Sequence, residues 1–131
     1  MQNRAVLVAS AFSTLMGIAG LVGSASILWL FTNSTIYSIP ILGPLFKTFI
    51  GQTLYLGIFV IIASLVHIAV GLLLWKRRKI GGYLGFALSA CEVLGYLSIF
   101  LYPNLALPMV VSLGLGSALC ILLIVAWDHL R

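Results

Sequence analysis

The sequence predicts an all-α integral membrane protein, a four-helix transmembrane bundle with both termini on the cytoplasmic side. Hydrophobic residues make up 63% of the chain and charged residues 7%, whereas soluble domains average about 45–50% and about 25%. Mean hydropathy is +1.24. Four apolar runs, residues 5–31, 53–75, 80–102 and 108–127, each reach the ~20 residues that a helix needs to cross the hydrocarbon. A lone strand in lipid leaves its backbone unpaired, and the period-two alternation of a barrel is absent, so each run is expected as a helix. At 131 residues the chain suits one transmembrane domain, residues 1–131.

The first run follows Arg4 and is 27 residues long. The apolar core of a signal peptide is about 7–15 residues, so this run reads as a retained helix. The next stretch, residues 32–52, is an apolar extracytoplasmic loop rich in Ile, Leu and Phe. Pro40, Gly43 and Pro44 predict that it is no continuous helix, with at most a short interfacial helix over 44–50 carrying Lys47. So apolar a loop is expected to lie on the membrane surface, cap the bundle or dock another subunit. Within it Asn33-Ser34-Thr35 is a sequon, which permits glycosylation of Asn33 in a host that performs it.

The second and third runs meet at Lys76-Arg77-Arg78-Lys79, which holds four of the seven Lys and Arg residues. Positive charge marks cytoplasmic loops, so this block is the topology anchor. With four spans, Arg4 and Arg131 fall on the same side and Lys47 on the other. The net charge of +5 is explained by this clustering. No basic stripe on a folded face is visible, so nucleic acid is not an expected partner. Trp29, Trp75, Trp127, Tyr55 and Tyr102 lie near span ends, where interfacial aromatics are favoured. Residues 103–108, with a proline at each end, form a second tight connection.

Lipid is as apolar as leucine, so membrane helices associate through small and polar residues. Every run carries such a stripe: Ser10, Ser13, Gly17, Gly20 and Ser24; Ala63, Ser64, His67 and Gly71; Gly81, Gly85, Ser89, Glu92 and Gly95; Ser112, Gly116 and Cys120. Steps of three and four place each set on one helix face. Gly81-x-x-x-Gly85 suits a contact within the bundle or between protomers.

Two ionisable residues fall within the spans. Glu92 lies ~18 Å from the basic turn and His67 ~12 Å from it. A charged side chain at mid-membrane costs about 2.5–3.5 kcal/mol for Asp, Lys or Arg on insertion scales. Ser64 is nearest in level to Glu92, with His67 about one turn away. Glu92, His67 and Ser64 therefore form the candidate intramembrane polar site, with Ser64 the better-placed partner and Gly17 leaving room beside the acid. A functional intramembrane acid and a neutral carboxyl gluing helices together are both expectations here. Cys91 and Cys120 have no metal-ligand spacing and read as reduced fillers. No metal and no cofactor is expected, since His129 lies at the cytoplasmic end and cannot pair with His67 about a haem within the same bundle, which leaves open only a haem shared with another chain. The chain also shows no phosphate-binding loop, nucleophile elbow or zinc-protease motif.

Residues 83–95, Tyr-Leu-Gly-Phe-Ala-Leu-Ser-Ala-Cys-Glu-Val-Leu-Gly, resemble the glutamate-bearing first helix of small multidrug resistance transporters. That family consists of four-helix proteins working as dimers around paired glutamates. The resemblance implies exchange of protons for a cation at Glu92 of two protomers. In this chain the glutamate stands on the third helix, so the order of elements departs from the family and membership is not assigned.

The expected function is a non-catalytic accessory or assembly subunit of a larger membrane complex, with a respiratory or other oxidoreductase assembly as one host. The alternative is a small homodimeric proton-coupled transporter. Expected partners are the lipid bilayer, other membrane subunits and further copies of the chain. The expected location is the plasma membrane of a prokaryote.

Overall fold

The computed structural model describes residues 4–32, 42–95 and 106–131. They form four helices, α1 (Arg4–Thr32), α2 (Leu42–Trp75), α3 (Lys79–Gly95) and α4 (Ala106–Ala126), followed by a 3₁₀ turn at Trp127–His129. Three stretches are long and apolar enough to cross a membrane: Arg4–Ser26, Gly57–Trp75 and Val110–His129, with mean hydropathies of 2.1, 2.6 and 2.4. The described part of α3 is 17 residues. Asn33, the rest of residues 33–41, and the expected helix end at 96–102 lie outside the described residues.

Residue contacts fix the directions of the helices. Ser10 of α1 bonds Gly71 of α2, and Ser13 bonds His67, while Gly17 faces Ser64 and Ile68. Numbers rising on α1 meet numbers falling on α2, so the two are antiparallel. Gly82 faces Trp127 and Leu130, Gly85 faces Leu123, and Gly116 faces Glu92, so α3 and α4 are antiparallel too. The helices pack α1 on α2, α2 on α3, α3 on α4 and α4 on α1, which closes a ring of up-and-down neighbours.

The expected break at Pro44 is absent, because α2 runs unbroken over 34 residues from Leu42. Pro44 is its third residue. The first four N–H groups of a helix have no partner within it, so a proline there removes no hydrogen bond. Residues 42–52, expected in the loop, therefore extend α2 to ~51 Å, well beyond the ~30 Å hydrocarbon thickness. Pro108 likewise occupies the third position of α4, which starts two residues before its expected boundary.

Large apolar side chains point outward: Leu15, Val22, Ile62, Leu94, Ile121 and Ile124 are all more than half exposed. The interior holds Ser10, Ser13, Ser24, Ser64, His67 and Ser89. An apolar core of Val6, Ala9, Val70, Leu74, Leu119, Leu123, Ala126 and Leu130 occupies the end of the bundle that carries Lys76–Lys79, called the basic end below. This is the arrangement that lipid selects. Apolar surface gains nothing by turning inward, while small residues let backbones approach and hydroxyls bond across.

The turn between α2 and α3 is shaped by backbone geometry. The N–H groups of Arg77 and Arg78 bond back to the carbonyls of Leu74 and Leu73 at 2.8 and 3.0 Å. Arg77 takes the left-handed conformation, φ 54°, at the capping position that usually holds glycine. The chain end then folds onto this turn. Lys79 N donates to Arg131 O (2.8 Å) and Arg131 N donates to Arg77 O (2.7 Å). Trp127 wedges beneath, its ring 5.1 Å from Tyr83 and 5.5 Å from Phe86.

Gly81 and Gly85 face inward, toward Leu73–Leu74 and toward Val70 and Leu123. They serve packing within the chain, leaving no glycine pair here for a second protomer.

At Gly17 an added Cβ would lie 2.6 Å from Ser64 O and 2.9 Å from Ile68 N, both backbone atoms that cannot rotate aside. Gly17→Ala is expected to cost about 1–3 kcal/mol by forcing α1 off α2. At Gly23 nothing lies within 4 Å, so Gly23→Ala should gain up to about 1 kcal/mol in helix propensity. Unfolding by sodium dodecyl sulfate from mild detergent checks both.

Candidate functional site

All four helices contribute to one polar cluster. Glu92 sits on α3 and His67 on α2, with His67 Nε2 2.6 Å from Glu92 Oε1. Their side chains are 4% and 11% exposed, so the contact is shielded. From α1, the Ser13 hydroxyl donates to His67 O at 2.8 Å and lies 3.2 Å from His67 Nδ1. From α4, the Ser112 hydroxyl donates to Glu92 O at 3.3 Å.

Counting donors assigns the protons. Ser13 has one hydroxyl proton, and the shorter contact, to a carbonyl that can only accept, claims it. Its oxygen then accepts from Nδ1, so Nδ1 carries hydrogen. A 2.6 Å contact between Nε2 and Oε1 needs a proton between them, since two lone pairs would repel. Whichever atom holds that proton, histidine and glutamate together carry no net charge. A neutral or internally compensated pair is what a low-dielectric interior tolerates.

The structure brings His67 and Glu92 together directly and leaves Ser64 out. Ser64 is buried, but its hydroxyl bonds Val60 O of its own helix at 2.6 Å and faces Gly20 of α1. Near the turn Gly81 faces Leu73–Leu74 and Gly85 faces Val70, and deeper in Glu92 meets His67. Level alone does not decide contact. Every Cβ leans toward the N-terminus of its own helix. In this antiparallel pair His67 leans away from the basic end and Glu92 leans toward it, so the two side chains close the gap. The lean was available from the sequence once the hairpin was recognised.

Gly17 is also not the space beside Glu92, since it faces α2. That place belongs to Gly116, where an added Cβ would lie 2.9 Å from Glu92 Cβ and 3.1 Å from Glu92 Oε2. Two buried side-chain oxygens among the described residues have no hydrogen-bond partner, Glu92 Oε2 and Ser89 Oγ. They are one turn apart on α3.

The remaining candidates lie elsewhere. Cys91 is exposed, Cys120 half-buried, and both are free thiols. His129 and Asp128 are exposed in the 3₁₀ turn at the basic end. Among the described residues no three of His, Cys, Asp and Glu come together as a metal site. Comparison with family models, with curated proteins and with solved structures gives no match.

The proton assignment has two consequences. In Glu92→Gln the amide N–H replaces the shared proton, and stability should change by less than about 1 kcal/mol, whereas Glu92→Ala strands His67 Nε2 at a cost of about 1–3 kcal/mol. Nitrogen-15 spectra of His67 in the unaltered protein should show a protonated Nδ1; a bare Nδ1 would refute the assignment.

Proposed function

We propose that this chain is a non-catalytic accessory or assembly subunit of a larger membrane complex. The observation that carries the reading is the closure of the His67–Glu92 pair. The acid and base in the described interior spend their chemistry on each other, within one chain and with no net charge. The outward faces carry many large apolar side chains, among them Leu15, Val22, Ile62, Leu94, Ile121 and Ile124, suited to lipid and to neighbouring helices. In this reading four helices span the plasma membrane of a prokaryote, with both termini in the cytoplasm. The gathering of Arg131 onto the Lys76–Lys79 turn, with Arg4 preceding Val6 of the core at that end, supports the orientation through the positive-inside rule.

A second reading, a homodimeric proton-coupled transporter, draws support from the unpartnered Glu92 Oε2 and Ser89 Oγ. Against it stands the short bond that occupies Oε1 within the same chain. Paired glutamates from two protomers would need that carboxyl free.

Purification in mild detergent separates the two. A subunit should come out with heterologous membrane proteins in fixed stoichiometry, and Glu92→Gln should retain them. A homodimer free of other chains, whose proton flux in liposomes is abolished by Glu92→Gln, would reverse the choice.

A further inference from the structure

At the basic end Lys76, Arg77, Arg78, Lys79 and Arg131 line a cleft of about 420 Å³, together with Ile80. We propose that this cleft binds the phosphate of an anionic phospholipid headgroup.

Orientation of the chain requires only that positive charges be present on one side. An extended loop would satisfy that. Here the charges are instead folded around a concave space, and three features build it. The left-handed turn at Arg77 keeps a guanidinium at a position where glycine is the usual, unstrained choice. The paired backbone bonds between Arg131 and residues 77 and 79 carry a fifth cation across from the far end of the sequence. Trp127 and Leu130, packed against Gly82, hold that returning strap down. Asp128 is exposed and does not line the cleft. Lys76, Arg78, Lys79 and Arg131 alone bring four like charges to one hollow, and an anion held among them relieves their repulsion. Arginine and lysine supply the forked and point-charge donors that phosphate accepts.

Depth and lining favour a lipid as the source of the phosphate. The apolar stretches of α2 and α4 end at Trp75 and His129, which sets the cleft just beyond them at headgroup level. Ile80 forms its apolar wall, and Ile80 and Leu84, one turn apart on α3, are both exposed. A phosphate in the cleft therefore has an apolar face running into the bilayer beside it, where acyl chains would lie. A volume of this size suits a headgroup. Free inorganic phosphate shares the polar chemistry but gains nothing from that face.

The test is native mass spectrometry of the full chain, titrated separately with phosphatidylglycerol, phosphatidylcholine and inorganic phosphate. A one-to-one adduct with phosphatidylglycerol, much tighter than with phosphatidylcholine, is expected. Arg131→Gln leaves its backbone bonds and the four-residue block in place, and should weaken the adduct about fivefold. Lys79→Gln is the second variant, with the same expectation. Arg4→Gln removes one charge from the same end but outside the cleft, and should leave binding unchanged. Equal binding of the two lipids, or equal loss in Arg4→Gln and Arg131→Gln, overturns the proposal. Displacement of the lipid by millimolar inorganic phosphate would overturn the lipid as its source.

Discussion

The rest of the structure depends on the bond between His67 and Glu92. Two zippers of small residues hold the helices in pairs. Ser10, Ser13, Gly17 and Gly20 press α1 onto α2, and Gly82, Gly85 and Gly116 let α3 and α4 meet. The His67–Glu92 contact crosses between these pairs, and Ser13 and Ser112 tie it to the outer helix of each. Interhelical hydrogen bonds in membranes average only about 0.6 kcal/mol, at most about 1.7. The bond therefore adds little to total stability. What it supplies is selection, since any other rotation of α3 against α2 leaves an acid and an imidazole buried without partners.

That selection matters because dispersion forces alone are a poor guide in lipid. Many large side chains lie outside, and lipid tails match them in any orientation. The inward faces of α1 and α2 are mainly hydroxyls and glycines, which fit closely but define rotation only through their hydrogen bonds. Ser10 to Gly71 O and Ser13 to His67 O are such bonds, each from a hydroxyl to a carbonyl of the facing helix. Facing carbonyls already accept from their own helices and have a second lone pair to offer. A serine stripe can therefore zip onto a helix without demanding any particular side chain from it.

Helical existence and the small-residue stripes were legible in the sequence, because apolar length and three-four spacing are direct consequences of the bilayer and of helix geometry. Three things were harder. Pro44 looked like a breaker, yet its effect depends on whether it falls inside a helix or in the first turn, and no residue nearby announced Leu42 as a start. Ser64 is nearest to Glu92 in level, but level without the lean of the side chains does not name the partner. The turn at Arg77 gave no signal at all. Its capping position carries arginine where glycine would have marked it, and the folding back of Leu130–Arg131 is a contact between distant parts of the chain that no local pattern encodes.

The turn and the buried pair are nonetheless one problem. α2 and α3 are joined through three residues, so the conformation at Arg77 sets where α3 starts and with what rotation. Gly81 against Leu73–Leu74 and Gly85 against Val70 carry that register inward. At Glu92 it brings the carboxyl within 2.6 Å of His67. Adding or removing one residue in the turn would rotate Glu92 by ~100° about α3 and shift it by ~1.5 Å, taking the carboxyl off the face that meets α2. The strain of a left-handed arginine and the strap that pins it are thus tied to the chemistry at mid-depth. A surface turn that is rigid, rather than merely positive, is what allows one histidine and one glutamate to find each other inside the bundle.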